Sequence, residues 1–391
     1  MITPQFLIYA PLVAHLWENR IFYKYKMIKR ILYTLLIMFP VVASAQINTD
    51  RVMAIGRNAL YFEDYVLSIQ YFNQVINAKP YLSDPYFYRG LAKINLDDFQ
   101  GAESDCSEAI ERNPFVVSAY QVRGLARIQQ NNFAGAIEDY TKALEFDPEN
   151  IGVWHNMALC RIRQEDYKGA KNDLDKLIAI SPRYTKAYLM RGEVDLKQKD
   201  TLAAEKDFGK AIEIDRYDAD TWASRAILRL QQQRYKDAEA DFDHAIRLST
   251  RNSGVYINRA LARYHQNNLR GAMSDYDIAL DIDPNNFIGH YNRGLLRAQV
   301  GDDNRAIQDF NFVIEMEPDN MMAIFNRGLL LDQTGDYKGA IKDYSTVINE
   351  YPNFLLGYQY RAQARRKIGD VKGADADEFK VLKHSWINRT E

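Results

Sequence analysis

The chain has 391 residues, 47% of them hydrophobic, with 26 Tyr and 18 Phe against 20 Gly and 11 Pro. That balance excludes a disordered or collagen-like chain, and a formal charge of −2 offers little to a polyanion. Residues 1–45 hold five of the basic residues and one acidic residue, so the remainder stands at −6 and nucleic acid is a still poorer partner.

In chain order, the first predicted element is a targeting segment. Lys29 and Arg30 precede an apolar run from Ile31 to Val42, broken by Thr34 and Pro40, and Ala43-Ser44-Ala45 supplies small residues for a peptidase. This is the plan of a secretory signal peptide over residues 27–45, with Gln46 as the first mature residue. Met27 stands where a start is expected, so residues 1–26 read as an over-extension of the frame. The run is short for a permanent span, and no Cys follows it for lipid attachment. The expectation is an exported chain, periplasmic or secreted, with no integral membrane span after processing.

From Thr49 to Asn388 the chain repeats itself every 34 residues, ten times, without insertion or deletion. The repeats run 49–82, 83–116, 117–150, 151–184, 185–218, 219–252, 253–286, 287–320, 321–354 and 355–388. Counting places within a repeat, place 8 is always Gly or Ala, and place 20 is Ala except at Ser68. Places 4 and 24 are aromatic in seven repeats each, and place 32 is Pro in seven. Apolar residues at 4, 8 and 11 or 12 mark one face of a first helix, and those at 20, 24, 27 and 28 one face of a second. Small residues at 8 and 20 let the helices approach, and Pro at 32 ends the second helix. A single hairpin cannot bury such faces, so the repeats must stack into an all-α solenoid.

The pattern resembles the tetratricopeptide repeat family. The third repeat carries it well, with Val117-Ser-Ala-Tyr-Gln-Val-Arg-Gly-Leu-Ala, then Asn132-Phe-Ala-Gly-Ala-Ile-Glu-Asp-Tyr, then Ala143 and Pro148. The resemblance implies a right-handed superhelix of helix-turn-helix repeats whose first helices line a concave groove. The end repeats depart from the pattern: the first has Ile55 and Tyr71 where others are charged, and the tenth has Glu378 and Trp386 at the aromatic and Pro places. Cys106 and Cys160 lie in different repeats at unlike places, and are expected as separate buried thiols. The fifth to seventh repeats are irregular, with Thr201, Arg216, Thr250 and Leu269 at consensus places, and are expected to be the softest.

Place 7 is Arg in eight repeats and place 23 is Asp in nine. A half-buried charge needs a partner. Pairing within a repeat strands only Asp173, opposite Met157, whereas pairing with the next repeat strands three residues. The expectation is an internal clamp, with Asp173 turning to Arg191.

Places 2, 5, 6, 9 and 13 are expected to face the groove. Place 6 is Asn at Asn156, Asn258, Asn292 and Asn326, the last three consecutive. An amide both donates and accepts, as a peptide unit does, so such a row suits an extended chain held by its backbone. Tyr291, Leu295, Phe325 and Leu329 stand beside it as apolar anchors, and Gln299 and Gln333 as polar flanks. Some relatives clamp a C-terminal carboxylate with Lys at place 5 and Asn at place 9; neither occurs here.

No catalytic constellation stands out. The six His are scattered without the i, i+4 spacing of a helical metal site, and there is no phosphate loop or nucleophile turn. No cofactor or metal is expected. The functional expectation is an exported scaffold, not an enzyme, that holds an extended or helical segment of a protein or peptide partner in its groove. A structural or assembly subunit of an envelope complex, or a recruiting partner of a separate enzyme, are the alternatives. The consensus specifies a fold and names no ligand.

Overall fold

The computed structural model describes residues 48–387, which form twenty helices and no strand. Residues 1–26, the expected signal segment 27–45 and the repeat end at Asn388 lie outside the described residues. The chain divides into two compact units, the first ending at Ile214 and the second beginning at Asp215.

The first unit holds five helix pairs: α1 (Thr49–Tyr61) with α2 (Tyr65–Ala78), α3 (Asp84–Ile94) with α4 (Phe99–Arg112), α5 (Val117–Gln129) with α6 (Phe133–Phe146), α7 (Ile151–Arg163) with α8 (Tyr167–Ile180), and α9 (Thr185–Lys197) with α10 (Thr201–Ile214). The second holds α11 (Ala219–Gln231) with α12 (Tyr235–Leu248), α13 (Ser253–His265) with α14 (Leu269–Ile282), α15 (Phe287–Gln299) with α16 (Asp303–Met316), α17 (Met321–Gln333) with α18 (Tyr337–Glu350), and α19 (Leu355–Lys367) with α20 (Val371–Ile387). Within each unit, a second helix packs on its own first helix and on the first helix of the next pair. The fold is a stack of helical repeats.

The repeat places explain this local structure. Each hairpin turns through one left-handed residue. In seven turns it is a non-glycine, from Glu63 at φ 62° to Asn267 at φ 60°, and in the last three it is Gly301, Gly335 and Gly369. In eight of the ten turns the side chain of the next residue caps the second helix. Asp98 accepts from the Gly101 amide at 2.9 Å, and Asp336 from the Gly339 amide at 3.0 Å. Asp336→Ala is expected to cost about 1 kcal/mol, read as a lowered denaturation midpoint. The small residue at place 8 is needed for close approach: a Cβ on Gly192 would lie 2.6 Å from the Phe208 ring. In five repeats the place-4 side chain latches the preceding loop, because its polar tip reaches a carbonyl six residues back. Tyr86 Oη donates to Pro80 O at 3.2 Å, Trp154 Nε1 to Pro148 O at 2.8 Å, and Trp222 Nε1 to Arg216 O at 3.0 Å.

The core is made of place-20 alanines and place-24 side chains: Ala136, Ala170, Ala238 and Ala306 are fully buried, as are Phe72, Phe208, Phe242 and Phe310. Cys106 and Cys160 are both free and buried, and burial pushes the Cys160 thiol up to about 12.

Two local devices are missing from the irregular stretch. Leu202 is 81% exposed at the start of α10, and Arg234 provides no side-chain cap for α12. Hydrogen exchange is expected to be faster over residues 185–252 than over 83–150. Equal protection would count against this.

Candidate functional site

The Arg–Asp clamp is internal to the repeat in all eight repeats that carry the Arg, as its spacing predicts. Arg293 Nη2 lies 2.7 Å from Asp309 Oδ1, and Arg327 Nη2 2.7 Å from Asp343 Oδ1. The carboxylates are almost fully buried, from Asp275 at 1% to Asp207 at 5% exposure. Most clamps are bidentate: Arg191 donates through Nε and Nη2 to the two oxygens of Asp207. That hydrogen bonding raises the Arg191 guanidinium further above its usual range.

Two features of the clamp were not anticipated. First, the same Arg reaches back to the preceding repeat through Nη1, with the acceptor at place 25. Arg89 donates to Asn73, Arg123 to Ser107 and Arg191 to Asp175 in the first unit. Arg259 donates to Asp243, Arg293 to Asp277, Arg327 to Asn311 and Arg361 to Ser345 in the second. One guanidinium therefore ties two hairpins. Second, place 11 supplies another cation to the same Asp: Arg127 to Asp139, Arg229 to Asp241, Arg263 to Asp275 and Arg297 to Asp309. The signal for this was present, since place 11 is Lys or Arg in seven repeats.

That second cation corrects the expectation for Asp173. It does not turn to Arg191, which is spent on Asp207 and Asp175. It takes Arg161, whose Nε donates to Asp173 Oδ2 at 2.7 Å. Place 11 also joins neighbouring repeats. Arg127 and Arg263 grip Glu103 and Glu239 of the preceding repeats, at 2.8 and 2.7 Å. Between the fourth and fifth repeats the charges are exchanged, and Lys171 meets Asp195 at 2.5 Å.

The predicted partner-binding residues divide into three groups. Asn258 on α13 and Asn292 on α15 are partly exposed and make no side-chain hydrogen bond among the described residues. Leu295 is 39% exposed, and Gln299 and Gln333 are exposed at the ends of α15 and α17. Helices α15 and α17 lie side by side. A second group is engaged internally. Asn326 Nδ2 donates to Tyr291 Oη at 3.1 Å, Tyr291 sets its edge against Phe310, and Leu329 packs partly buried on the core. In the first unit, Asn156 has a buried Oδ1 without a hydrogen-bond partner among the described residues.

The third group is Phe325, expected on the open surface. It is 6% exposed and packs on Tyr344, Phe354 and Tyr360, with centroids 5.8, 5.1 and 5.8 Å away. Place 5 is a seam between repeats and not an open face: Phe87, His155 and Ile257 are buried there too. The next hairpin covers this side of the first helix.

His155 carries a consequence for pH. Its Nδ1 lies 3.3 Å from Tyr184 Oη. Burial first, and then Lys186, hold the imidazole down at about 4 against an ordinary 6.5. Between those values the unfolded chain binds more protons than the folded one, so stability is lost as pH falls through this window. The full loss is roughly 3 kcal/mol. His155→Gln is expected to flatten the fall, read as the wild-type-minus-variant difference in urea midpoints at neutral and mildly acidic pH. An unchanged slope would refute this.

Among the described residues, no group of three or more His, Cys, Asp or Glu is placed to hold a metal ion, and no helix is long and apolar enough to cross a membrane.

Comparison with known proteins agrees with this geometry. Family profiles described as tetratricopeptide repeat match residues 151–184, 185–218, 224–287 and 291–353, and one described as TPR repeat matches 124–160. No curated protein matches the chain. Among solved structures, a tetratricopeptide repeat protein from Parabacteroides merdae is similar at 21% identity and TM-score 0.50, over 64% of this chain and 98% of that one. The C-terminal part of a TPR repeat-containing protein from Cytophaga hutchinsonii is similar at 17% identity and TM-score 0.50, over 61% and 97%. At such identities the likeness speaks to the fold. Repeats of this kind support a protein-interaction scaffold. The helix pairs, their consensus places and the profile matches together make this chain a member of the tetratricopeptide repeat family.

Proposed function

We propose that the chain is an exported scaffold that holds an extended segment of a partner protein against α13, α15 and α17. The carrying observation is the pair Asn258 and Asn292, whose amides are partly exposed and have no side-chain partner among the described residues. Each amide is free to donate to and accept from a peptide backbone. Exposed Leu295, one turn beyond Asn292, offers an apolar anchor. Phe325 is no part of this surface.

The test is photo-crosslinking from position 295 in intact cells, followed by capture with Asn258→Ala and Asn292→Ala combined. With each hydrogen bond contributing about 0.5–1.5 kcal/mol, capture is expected to weaken by about tenfold. Undiminished capture by the folded double variant would move the partner elsewhere on the array. Export carries its own measurement. The mature chain should begin at Gln46, and recovery of exported chain retaining Met1 to Lys26 would defeat that part of the reading.

A further inference from the structure

The fourth repeat contains a guanidinium site from which the guanidinium is missing. Elsewhere the place-7 Arg meets up to three groups, and Arg89, Arg123, Arg191, Arg259 and Arg361 meet all three. It lies over the place-4 ring, as Arg89 does over Tyr86 at 5.5 Å and Arg225 over Trp222 at 5.1 Å. It donates to the place-23 carboxylate. It also donates to the place-25 acceptor of the preceding repeat. In the fourth repeat place 7 is Met157, yet all three groups are retained as Trp154, Asp173 and Thr141.

Met157 refills that position only in part: it is 4% exposed, with Sδ 4.0 Å from Thr141 Oγ1, and space remains beside it. A cavity of about 330 Å³ is lined by Thr141, Trp154, Met157, Arg161, Asp173 and Lys176, among others. Asp173 is 5% exposed. Its Oδ2 is taken by Arg161, while Oδ1 accepts no hydrogen bond among the described residues. Thr141 is preset as an acceptor: its hydroxyl donates to Ile137 O at 2.7 Å, which leaves its lone pairs free. The tenth repeat shows the same arrangement filled. There Ser345 donates to Ile341 O at 2.6 Å and accepts from Arg361 Nη1 at 2.9 Å.

Two cations already line this cavity, Arg161 and Lys176, the latter 4.7 Å from the Trp154 ring centroid. They do not forbid a third. Two cations on one buried Asp is the usual state of this fold, as with Arg123 and Arg127 on Asp139. The preceding repeat supplies the contrast. Its cavity of about 560 Å³ is lined by Tyr120, Arg123 and Asp139, but there Arg123 already donates to both carboxylate oxygens.

We propose that the cavity between α6, α7 and α8 binds the guanidinium of an arginine side chain presented by a partner polypeptide, beside Met157 and against the groups that the place-7 Arg meets in other repeats. The planar fork matches Asp173 Oδ1 and Thr141 Oγ1 as it does in the sister repeats, which a lysine ammonium does not reproduce. That a polypeptide supplies the group rests on the scaffold reading; the affinity of the cavity for a guanidinium does not.

The experiment titrates the full chain with Nα-acetyl-arginine methylamide and with its lysine counterpart, by calorimetry. Arginine binding is expected at a single site, with the lysine probe weaker by about tenfold or more. Asp173→Asn and Met157→Arg should each reduce arginine binding by about tenfold or more, and Met157→Leu should retain it. Met157→Arg should also raise the thermal midpoint, because it restores the internal clamp. If Met157→Arg does not fold, the contrast between Asp173→Asn and Met157→Leu decides. Equal binding by wild type and Asp173→Asn, or equal affinity for the two probes, overturns the proposal. Peptides with and without one arginine then distinguish a presented side chain from the free amino acid. Crosslinking at position 295 probes another compact unit, so either reading can fail while the other stands.

Discussion

Asp309→Ala is expected to destabilise its compact unit by roughly 3–5 kcal/mol, the usual cost of removing one partner from a buried ionic cluster. Asp309 is 2% exposed and serves three side chains. Arg293 Nη2 lies at 2.7 Å, Arg297 Nη1 at 2.8 Å and His290 Nδ1 at 2.9 Å. Its loss leaves two guanidinium groups facing a buried void, with Asp277 of the preceding repeat beside them at 2.8 and 3.8 Å. Asp343→Ala provides an internal scale. Among the described residues Asp343 is held by Arg327 alone, since place 11 of its repeat is Leu331. Arg327 also keeps Asn311 at 2.8 Å. Its removal is expected to cost roughly 1–3 kcal/mol. Chemical denaturation of the two variants should rank them in that order. Equal costs would mean that place 11 adds nothing to the clamp.

Phe325→Ala is expected to cost roughly 3–5 kcal/mol, the range for truncating a buried aromatic side chain. The ring joins three others: Tyr344 within its own hairpin, Phe354 at the loop position just before α19, and Tyr360 from the next hairpin. Truncation therefore opens a cavity on a seam between repeats, and the last two hairpins should loosen together. Leu295→Ala is the comparison. Leu295 is 39% exposed, so its truncation should leave stability within about 0.5 kcal/mol, as at most surface positions. A folded Phe325→Ala with an unchanged midpoint would restore this residue as a candidate surface anchor.

The fold was legible because every repeat states it again. Gly or Ala at place 8, Ala at place 20 and the aromatics at places 4 and 24 encode how two helices meet within one hairpin, and that contact is set by short-range helical spacing. The Arg–Asp clamp was legible for the same reason, since both partners belong to one hairpin, 16 residues apart. The candidate binding surface was legible only in part. Asn258, Asn292 and Leu295 are partly exposed, whereas Tyr291 and Asn326 are tied to each other and Phe325 is buried.

Spacing along a helix says which residues share a face, but not which face the neighbouring hairpin will cover. The sequence by itself therefore determined the helix pairs, the turns between them and the charge that each Asp requires. Only the stacking of one pair on the next decided that place 5 is a seam, that the place-7 Arg reaches back to place 25, and that Met157 leaves a carboxylate with an open oxygen. Those contacts join residues of different hairpins. Their geometry depends on the angle at which one packed surface meets another, and no repeat period records that angle.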